Sequence, residues 1–408
     1  MDKRPRVRYV DAFPIEAEGQ QLIYLRDPEG LTPQSLAVPH HVYFLMTLMD
    51  GAHTVRDLQA AFARQFNGVE APADQVEGLI QQLDEAYLLD SDRFHQLKRQ
   101  VEAAFRTQTT RQAAHAEKSY PDDGAVLRKT IDAFFKPPEG PGLPVPGKVA
   151  TPVRALIAPH IDFQRGGPCF AWAYKALAES PPPDVFVVLG TGHSARYPFV
   201  LTRKDFETPL GTLRADQAVI DHLVQHAPHD LFEDEFAHKE EHSIEFQAVF
   251  LKYLYPDRDI SFVPILCGSF HEMVQDQRSP RTLSAVSDFL DALTGALAAA
   301  DRRVCFIAGV DLSHVGQRFG DPDPLSDPFI EGVEQVDRAL LQAAQGMDPE
   351  GFFEVISRLG DRTRVCGTAS IYTMLCAMNA QRGELLKYDQ AIDQEAQSMV
   401  SFTSMAFY

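Results

Sequence analysis

Ligand-type side chains follow several short apolar segments of the sequence, at the point where each segment ends. His160 comes after ALIAP, and His193 comes after VVLGTG. Asp311 and His314 lie in GVDLSHVG behind a third segment, and Cys366 lies in RVCGTAS. Imidazole and thiolate are preferred ligands of Fe, Cu and Zn, whereas Mg²⁺ and Ca²⁺ prefer oxygen. These residue types therefore indicate a transition-metal site.

The apolar segments have the composition of buried β-strands. They are short and rich in β-branched residues, namely VRALIAP, VFVVLG, FVLTR, ISFVPILC, RVCFIAGV and MVSFTSMAFY. Helical stretches such as HSIEFQAVFLKYLY and IEGVEQVDRALLQAAQ lie between them. This alternation predicts an α/β domain over residues 151–408, with a mixed central sheet flanked by helices. Because reactive groups in such domains collect beyond the carboxyl ends of the strands, we expect the five side chains to converge there.

The first hundred residues predict a separate, smaller domain. PHHVYFLMTLMD, TVRDLQAAF and VEGLIQQLDEAYLLD place apolar residues at helical spacing. Thr54 with Asp57 three residues later predicts the capped start of a helix. We expect AYLLD to pair as a strand with QQLIYLRD, which makes residues 1–100 a small winged-helix-like domain.

Residues 101–150 predict a linker and a connecting helix. The stretch RTQTTRQAAHAEKSYPDDG is polar and has no apolar period, and GAVLRKTIDAFF then supplies one helix before a Pro/Gly-rich connector. On this basis a chain beginning near Gly124 is expected to keep the metal site.

Composition narrows the classes of partner and location. The chain has 408 residues, a formal net charge of -19 and a sequence pI of about 5.1. This acidity argues against nucleic acid or an anionic membrane as the partner, since both require basic patches. The sequence shows no secretory signal and no apolar run of about 20 residues. Its five scattered cysteines, with no CxxC pair, indicate a reduced, cytoplasmic protein.

The segment HKEEHSIE contains a possible second group of ligands. His238 and His242 stand at i, i+4, the spacing at which one helical face can bind zinc, although Lys239 breaks the HExxH pattern. The sequence leaves open which of the two histidines faces the predicted site.

The motifs of the second domain, taken in order, resemble those of the Memo family, also called AmmeMemoRadiSam system protein B. The motifs are APHIDFQRGG, VLGTGHS, ETPLGTLRAD, EEHSIEFQ, VPILCG, GVDLSHVGQRFG and VCGTASI. The family is similar in fold to the LigB-type extradiol dioxygenases, which are non-haem iron enzymes. The resemblance implies a metal held by His160, His193 and Cys366, with Asp311 and His314 beside it. His314 would match the dioxygenase base.

The same resemblance places His242 and Glu245 near the metal pocket, as contacts of the ligands or of the substrate. Two departures are visible. Where the family often has a basic residue and a histidine after Cys-Gly, this chain has Thr368 and Ala369. The dioxygenases also use a carboxylate where this chain has Cys366, and a thiolate makes the site softer and more electron-rich.

The first domain resembles the PqqD-like domains that recognise precursor peptides for radical-SAM enzymes, through LMDGAHTVRDLQAAF and VEGLIQQLDEAYLLD. This resemblance implies a peptide ligand for the domain. Together the two resemblances imply a radical-SAM protein and an AMMECR-type protein as partners.

Three functional hypotheses follow. The first is a mononuclear Fe or Cu protein of redox or dioxygenase-like activity that works with a radical-SAM partner. The second is a copper- or iron-binding protein, or a scaffold, without turnover. The third is a zinc hydrolase in which Asp311 or His314 activates metal-bound water.

Overall fold

The computed structural model describes residues 4–17, 19–27, 30–32, 36–227 and 229–408. Contacts between residues divide the chain into two units, Met1–Thr107 and Gln108–Tyr408. The first unit therefore ends seven residues later than the predicted boundary at residue 100, because one helix runs continuously across it, Asp92–Thr107.

The first unit combines a small antiparallel sheet with four helices among its described residues. Its elements are β1 (Asp11–Ala17), β2 (Gln20–Arg26), β3 (Leu36–Pro39), α1 (His40–Thr47), α2 (Val55–Gln65), α3 (Ala73–Glu85) and α4 (Asp92–Thr107). The strands pair in the order β1-β2-β3. Apolar residues of the strands and of α1 to α3 pack into one core that includes Leu45, Leu58 and Val76.

The structure bears out one local prediction in this unit and contradicts another. Thr54 and Asp57 form the predicted capping box at the start of α2. The predicted pairing of AYLLD with QQLIYLRD is wrong, because both edges of β2 are already occupied by β1 and β3. Leu89 instead forms an isolated bridge with Val7.

The second unit alternates strands and helices, as the sequence predicts. Its first half contains β4 (Thr110–Arg111), α5 (Gly124–Phe134), β5 (Ala155–Ala158), α6 (Phe163–Glu179), β6 (Val185–Thr191), β7 (Phe199–Leu201), β8 (Asp205–Phe206), β9 (Arg214–Ala215), α7 (Gln217–His226) and α8 (His242–Leu254). Its second half contains β10 (Ser261–Cys267), α9 (His271–Gln275), α10 (Ser284–Ala300), β11 (Val304–Gly309), β12 (His314–Val315), α11 (Asp327–Gln345), α12 (Pro349–Arg358), α13 (Thr368–Ala377), β13 (Gly383–Asp393) and β14 (Ser398–Phe407). Short 3₁₀ turns span Glu235–His238, Pro280–Thr282 and Gln317–Phe319.

A mixed nine-stranded sheet forms the centre of this unit. Its path runs β12-β14-β5-β11-β6-β10-β7, with β13 paired to β14 and β9 paired to β10. The four strands β5, β11, β6 and β10 are parallel, whereas β14 runs antiparallel to β5. The predicted mixed α/β fold is therefore confirmed. The sequence reasoning missed β13, whose residues are mostly half-buried and show no clean alternation.

Helix α8 packs very close to the parallel strands because two of them carry a glycine beneath it. A Cβ on Gly190 would lie 2.5 Å from Ser243 Oγ, and one on Gly309 would lie 2.5 Å from the Ser243 carbonyl oxygen. The Ser243 hydroxyl donates to the Thr191 carbonyl at 2.9 Å. The missing side chain of Gly190 thus lets the start of α8 pack close to the carboxyl edge of the sheet.

The stretch predicted to be a linker is packed into the second unit. Arg111 is fully buried, and its guanidinium forms an ion pair of 2.6 Å with Glu245 of α8. The segment has no periodic apolar face because its polar groups pack into the unit through a buried ion pair and hydrogen bonds. No helix in the described part of the chain is both long and apolar enough to cross a membrane.

Candidate metal centre

Three of the predicted side chains lie beyond the carboxyl ends of adjacent parallel strands. His160 is two residues past β5, His193 is two residues past β6, and Asp311 is two residues past β11. Because β11 lies between β5 and β6, the three loops meet at one edge of the sheet. Cys366 reaches the same edge from the segment before α13.

His160, His193 and Cys366 are brought close enough to hold one ion. One potential ligand atom of each residue lies within 4.8 Å of the others. The sulfur of Cys366 is 3.4 Å from His160 Nε2, and the two imidazole rings are 5.1 Å apart between centroids.

His160 is held in the neutral form that a metal ligand requires. Its side chain is 3% exposed, and Nδ1 lies 3.1 Å from the carbonyl oxygen of Gly309, to which it can donate. Burial, followed by the nearby charge of His193, lowers the pKa of His160 to about 3. Nε2, which faces the Cys366 sulfur, is then left with its lone pair.

His193 lies at the mouth of the site and has a different partner. Its side chain is 44% exposed, and Nδ1 lies 3.0 Å from Oε2 of Glu241. Burial opposes protonation of the ring, but the charge of Glu241 and its hydrogen bond outweigh burial and raise the pKa of His193. The sequence reasoning did not find Glu241. Its signal was a glutamate directly before a helix start, where carboxylates are favoured.

Cys366 lies at the amino-terminal end of a helix, with Gly367 as the N-cap residue of α13. Burial and the nearby Asp311 carboxylate raise the pKa of this thiol well above its ordinary value. A helix amino terminus favours the thiolate form of a cysteine. In the structure burial outweighs that effect, so the thiolate form depends on a bound cation.

The other four cysteines lie apart from this group. Cys169, Cys267 and Cys305 are buried, while Cys376 is half-buried. Burial raises the pKa of Cys376 as well.

Asp311 fixes the loop that carries His160. Its Oδ1 accepts the backbone N–H groups of His160 at 3.0 Å and Ile161 at 3.2 Å, and its Oδ2 lies 3.7 Å from His160 Nε2. Burial raises the pKa of Asp311 to about 6, against the lowering effect of His314.

His314 stands beside these groups at the start of β12. Its Nδ1 lies 3.1 Å from the Leu312 carbonyl, and its ring packs edge-on against Phe319 at 5.4 Å. Burial lowers the pKa of His314, although Asp311 acts in the opposite direction. The two residues are thus electrostatically coupled next to the three potential ligands.

His242 faces the site. Its ring lies 5.0 Å from that of His160 and stacks on that of His193 at 5.1 Å. His238 does not belong to the same helical face, because it ends a 3₁₀ turn ahead of α8. It is buried, and its Nε2 lies 3.0 Å from the Val200 carbonyl.

Glu245 points away from the three potential ligands, into the segment around Arg111. It accepts from the buried Arg111 guanidinium at 2.6 Å, from the Tyr120 hydroxyl and from the backbone N–H of His115 at 2.9 Å. His115 in turn stacks edge-on against His242 at 5.5 Å between ring centroids. Glu245 therefore stabilises the segment that packs behind the potential ligands. In the sequence its partner Arg111 is one of two arginines in a polar stretch, with nothing to mark it as buried.

A cavity of about 290 Å³ opens beside the potential ligands. His193 and Cys366 form part of its wall, together with Thr368, Ala369 and Phe270. Thr368 and Ala369 follow Cys366-Gly367 in the chain and line this cavity next to Cys366.

Comparison with known proteins identifies the family. A family model described as Memo-like protein matches residues 111–406. The chain belongs to the Memo family. The match begins at Arg111, so the Memo region includes residues 111–150 of the predicted linker and connecting helix.

Relatives of the Memo family match this chain over different lengths. A MEMO1 family protein of Aquifex aeolicus is 30% identical over 99% of this chain and 100% of its own length. One of Methanopyrus kandleri is 31% identical over 73% of this chain and 98% of its own length. One of Thermus thermophilus is 28% identical over 86% of this chain and 97% of its own length. A Memo protein can thus consist almost entirely of a region that covers about three quarters of this chain.

Proposed function

We propose that this Memo family member is a mononuclear metal protein of redox, dioxygenase-like activity, with His160, His193 and Cys366 as the ligands of one Fe or Cu ion. The observation that carries the proposal is the approach of two imidazoles and one thiol to within 4.8 Å of one another. They meet at the carboxyl edge of a parallel sheet, where α/β proteins place their reactive groups.

The donor set fits such an ion. Across a tetrahedral zinc centre, bond lengths of about 2.0–2.1 Å to nitrogen and about 2.3 Å to sulfur put the two donors about 3.6 Å apart. His160 Nε2 and the Cys366 sulfur are 3.4 Å apart. One thiolate and two imidazoles are soft to intermediate ligands, which suits Cu, Fe and Zn and excludes a preference for Mg²⁺ or Ca²⁺.

Bound Fe or Cu would supply one-electron and O₂ chemistry at the edge of the cavity beside Cys366. The chain's own residues hold the surroundings for that chemistry. Asp311 fixes the His160 loop through two backbone N–H groups. His314 and Asp311, whose pKa values are shifted by burial, can hold or pass a proton next to the ligands. Phe270 and Ala369 form an apolar part of the cavity wall, which also carries the polar side chains of His271, Asp361 and Arg364.

Metal analysis followed by an oxygen-uptake assay tests this function. The full chain, purified without added metal, should carry about one Fe or Cu ion per chain, and the loaded protein should consume O₂ in the presence of a reductant or substrate. Zinc alone, with no O₂ uptake after reloading with Fe or Cu, would favour the hydrolase. A bound Fe or Cu ion without any turnover would favour a binding or scaffold protein.

For the first unit we propose an accessory role of the winged-helix, PqqD-like type, with a peptide as its ligand and a radical-SAM protein and an AMMECR-type protein as partners. The proposal is supported by the match of nearly whole relatives to only about three quarters of this chain, and by the separate core of this unit. Co-purification with those two proteins of the same organism tests it, with a chain beginning at Gln108 as control. Equal recovery of the partners with both chains would argue against it.

A further inference from the structure

Glu241 contacts both the backbone and the side chain of His193. Its Oε2 accepts the His193 backbone N–H at 3.1 Å and lies 3.0 Å from the ring nitrogen Nδ1, while Oε1 lies 3.2 Å from the same nitrogen. Because a carboxylate at neutral pH only accepts, this geometry places the ring hydrogen on Nδ1. Nε2 is then the nitrogen left with a lone pair for a cation.

Glu241 is itself held from several sides. It is the N-cap residue of α8, where Oε1 accepts the Ser243 N–H at 3.0 Å. Its backbone carbonyl accepts the Arg111 guanidinium at 2.7 Å, and its side chain is only 5% exposed. Because these contacts fix the Glu241 carboxylate at the start of α8, it serves as the fixed partner of the pair. The orientation of the His193 ring is therefore set by Glu241.

Each of the two candidate histidine ligands has a hydrogen-bond partner at Nδ1, but the two partners differ in charge. Nδ1 of His160 is satisfied by a backbone carbonyl, that of Gly309. Nδ1 of His193 is satisfied by a charged carboxylate, and His193 is far more exposed than His160. Charge-assisted hydrogen bonds are about twice as strong as neutral ones. The stronger hydrogen bond therefore holds His193, which is the more exposed of the two rings.

We propose that Glu241 is a positioning residue that fixes the tautomer and the orientation of His193, and so sets the affinity of the site for its ion. This inference rests on the proposed metal site. Partners of this kind, which hold the second nitrogen of a ligand histidine, typically change metal affinity by about 10–100-fold when they are removed.

The same geometry argues against a second ion held by His193, Glu241 and His242, although their potential ligand atoms also lie within 4.8 Å of one another. An ion bound through Nδ1 of His193 would have to displace the ring hydrogen that already faces both Glu241 oxygens. Each of those oxygens also accepts a backbone N–H, from Ser243 or from His193. His242 Nδ1 also lies 3.3 Å from Oε1, so a cation at Glu241 would compete with hydrogen-bond donors on both carboxylate oxygens.

Titration of the metal-free full chain with Co²⁺ tests the proposal. Co²⁺ reports both the thiolate ligand, by its charge-transfer absorption, and the number of ions bound. Glu241→Gln keeps the size of the side chain and an oxygen for the helix cap but loses the charge. We expect it to bind one Co²⁺ with the thiolate absorption intact and with about 10–100-fold lower affinity. Because glutamine has a single side-chain oxygen, one of the two backbone N–H groups that Glu241 accepts, that of Ser243 or that of His193, loses its partner. The melting temperature of the metal-free variant should therefore fall by a few degrees, and the two affinities are compared at a temperature where both chains are folded.

Glu240→Gln is the matched control, because the Glu240 side chain pairs with Lys239 and only its backbone carbonyl, which the substitution keeps, contacts a histidine, His115. Its Co²⁺ affinity should stay within about twofold of the natural chain, whereas an equal affinity for Glu241→Gln would overturn the proposal. Two Co²⁺ ions per natural chain, with one lost in Glu241→Gln, would also overturn it in favour of a second site. If the natural chain binds no Co²⁺, the proposed metal site itself fails.

Nitrogen-15 NMR of the zinc-loaded natural chain supplies a test that needs no variant. We expect the His193 ring to carry its hydrogen on Nδ1 and to bind zinc through Nε2. Zinc on Nδ1 of His193 would contradict the assigned role of Glu241 even if every Glu241 variant failed to fold.

Discussion

The loops after β5 and β6 place a histidine at the same distance beyond two strands of one parallel sheet, yet they enclose it differently. His160 is buried and bonded to the Gly309 carbonyl, and its pKa is lowered to about 3. His193 is 44% exposed and bonded to Glu241, and its pKa is raised. One histidine is held by the sheet and the other by a carboxylate on a helix start. Position at a strand end is therefore shared, while the means of holding the ring is not.

The local sequence predicts the position of each histidine but not its hydrogen-bond partner. The apolar segment before each histidine predicts that the histidine lies at the sheet edge, because each histidine follows its strand by only two residues. The partner of His193 is 48 residues away, and that of His160 is 149 residues away. Only the folded sheet brings each partner to its histidine.

The largest effect is expected for loss of either histidine. His160→Ala and His193→Ala each leave two of the three proposed ligands, so neither variant should retain Fe or Cu after dialysis, while circular dichroism still shows a folded protein. Because His193 is the more exposed ring, its variant should melt closer to the natural chain than the His160 variant. Full metal occupancy in both variants would remove the ligand assignment.

Cys366→Ser should also weaken Cu or Fe binding strongly, because a hydroxyl is a hard and poor substitute for a thiolate. Since burial raises the pKa of this thiol, metal binding must displace its proton. The affinity of the natural chain should therefore rise by about tenfold per pH unit around neutrality through this proton alone, and the variant should keep only the dependence that comes from His193, whose pKa is raised.

Cys376→Ser is the control, ten residues further on and half-buried. It should leave metal affinity and its pH dependence unchanged, at a cost of about 1 kcal/mol or more in stability. A Cys366→Ser variant with natural affinity would favour a histidine–carboxylate site that uses Asp311.

A smaller effect on the metal, transmitted from behind the site, is expected from the segment around Arg111. The sequence reasoning predicted normal metal binding for a chain beginning at Gly124. The structure reverses that expectation, since such a chain lacks Arg111 and Tyr120 and leaves Glu245 buried without its ion pair. Breaking a buried pair in this way costs about 3–5 kcal/mol. Calorimetry and metal titration should show lower stability and weaker binding, whereas a chain beginning at Gln108 should match the full chain in affinity.

These cases show how far the sequence predicted the molecule. The strands that precede His160, His193 and Asp311 could be predicted, because buried parallel strands are short, apolar and β-branched. The role of Arg111 could not, because a buried arginine is recognisable only through a partner more than a hundred residues away. The pairing of β2 failed for a similar reason. An apolar strand edge does not specify its neighbour, and nearer segments occupied both edges.

The smallest effect on metal binding is expected at His238, which resembles His160 in every respect except its neighbours. It is buried, one ring nitrogen lies 3.0 Å from a backbone carbonyl, and burial lowers its pKa to about 3. Its other nitrogen, Nδ1, has no hydrogen-bond partner within the described residues and no thiol beside it. His238→Gln should therefore bind metal within about twofold of the natural chain.

The variant should instead change the response of stability to acid. An unfolded histidine has a pKa of about 6.5, and folded His238 has one of about 3, so between these values the unfolded chain binds the extra proton. The natural chain should lose stability relative to His238→Gln by about 1.4 kcal/mol for each pH unit below about 6.5. Urea denaturation at pH 7 and pH 5 measures this difference. A constant gap between the two chains would show that His238 is protonated in the fold. A loss of metal affinity in His238→Gln would show that His238 takes part in metal binding although it does not lie with His193 and Cys366.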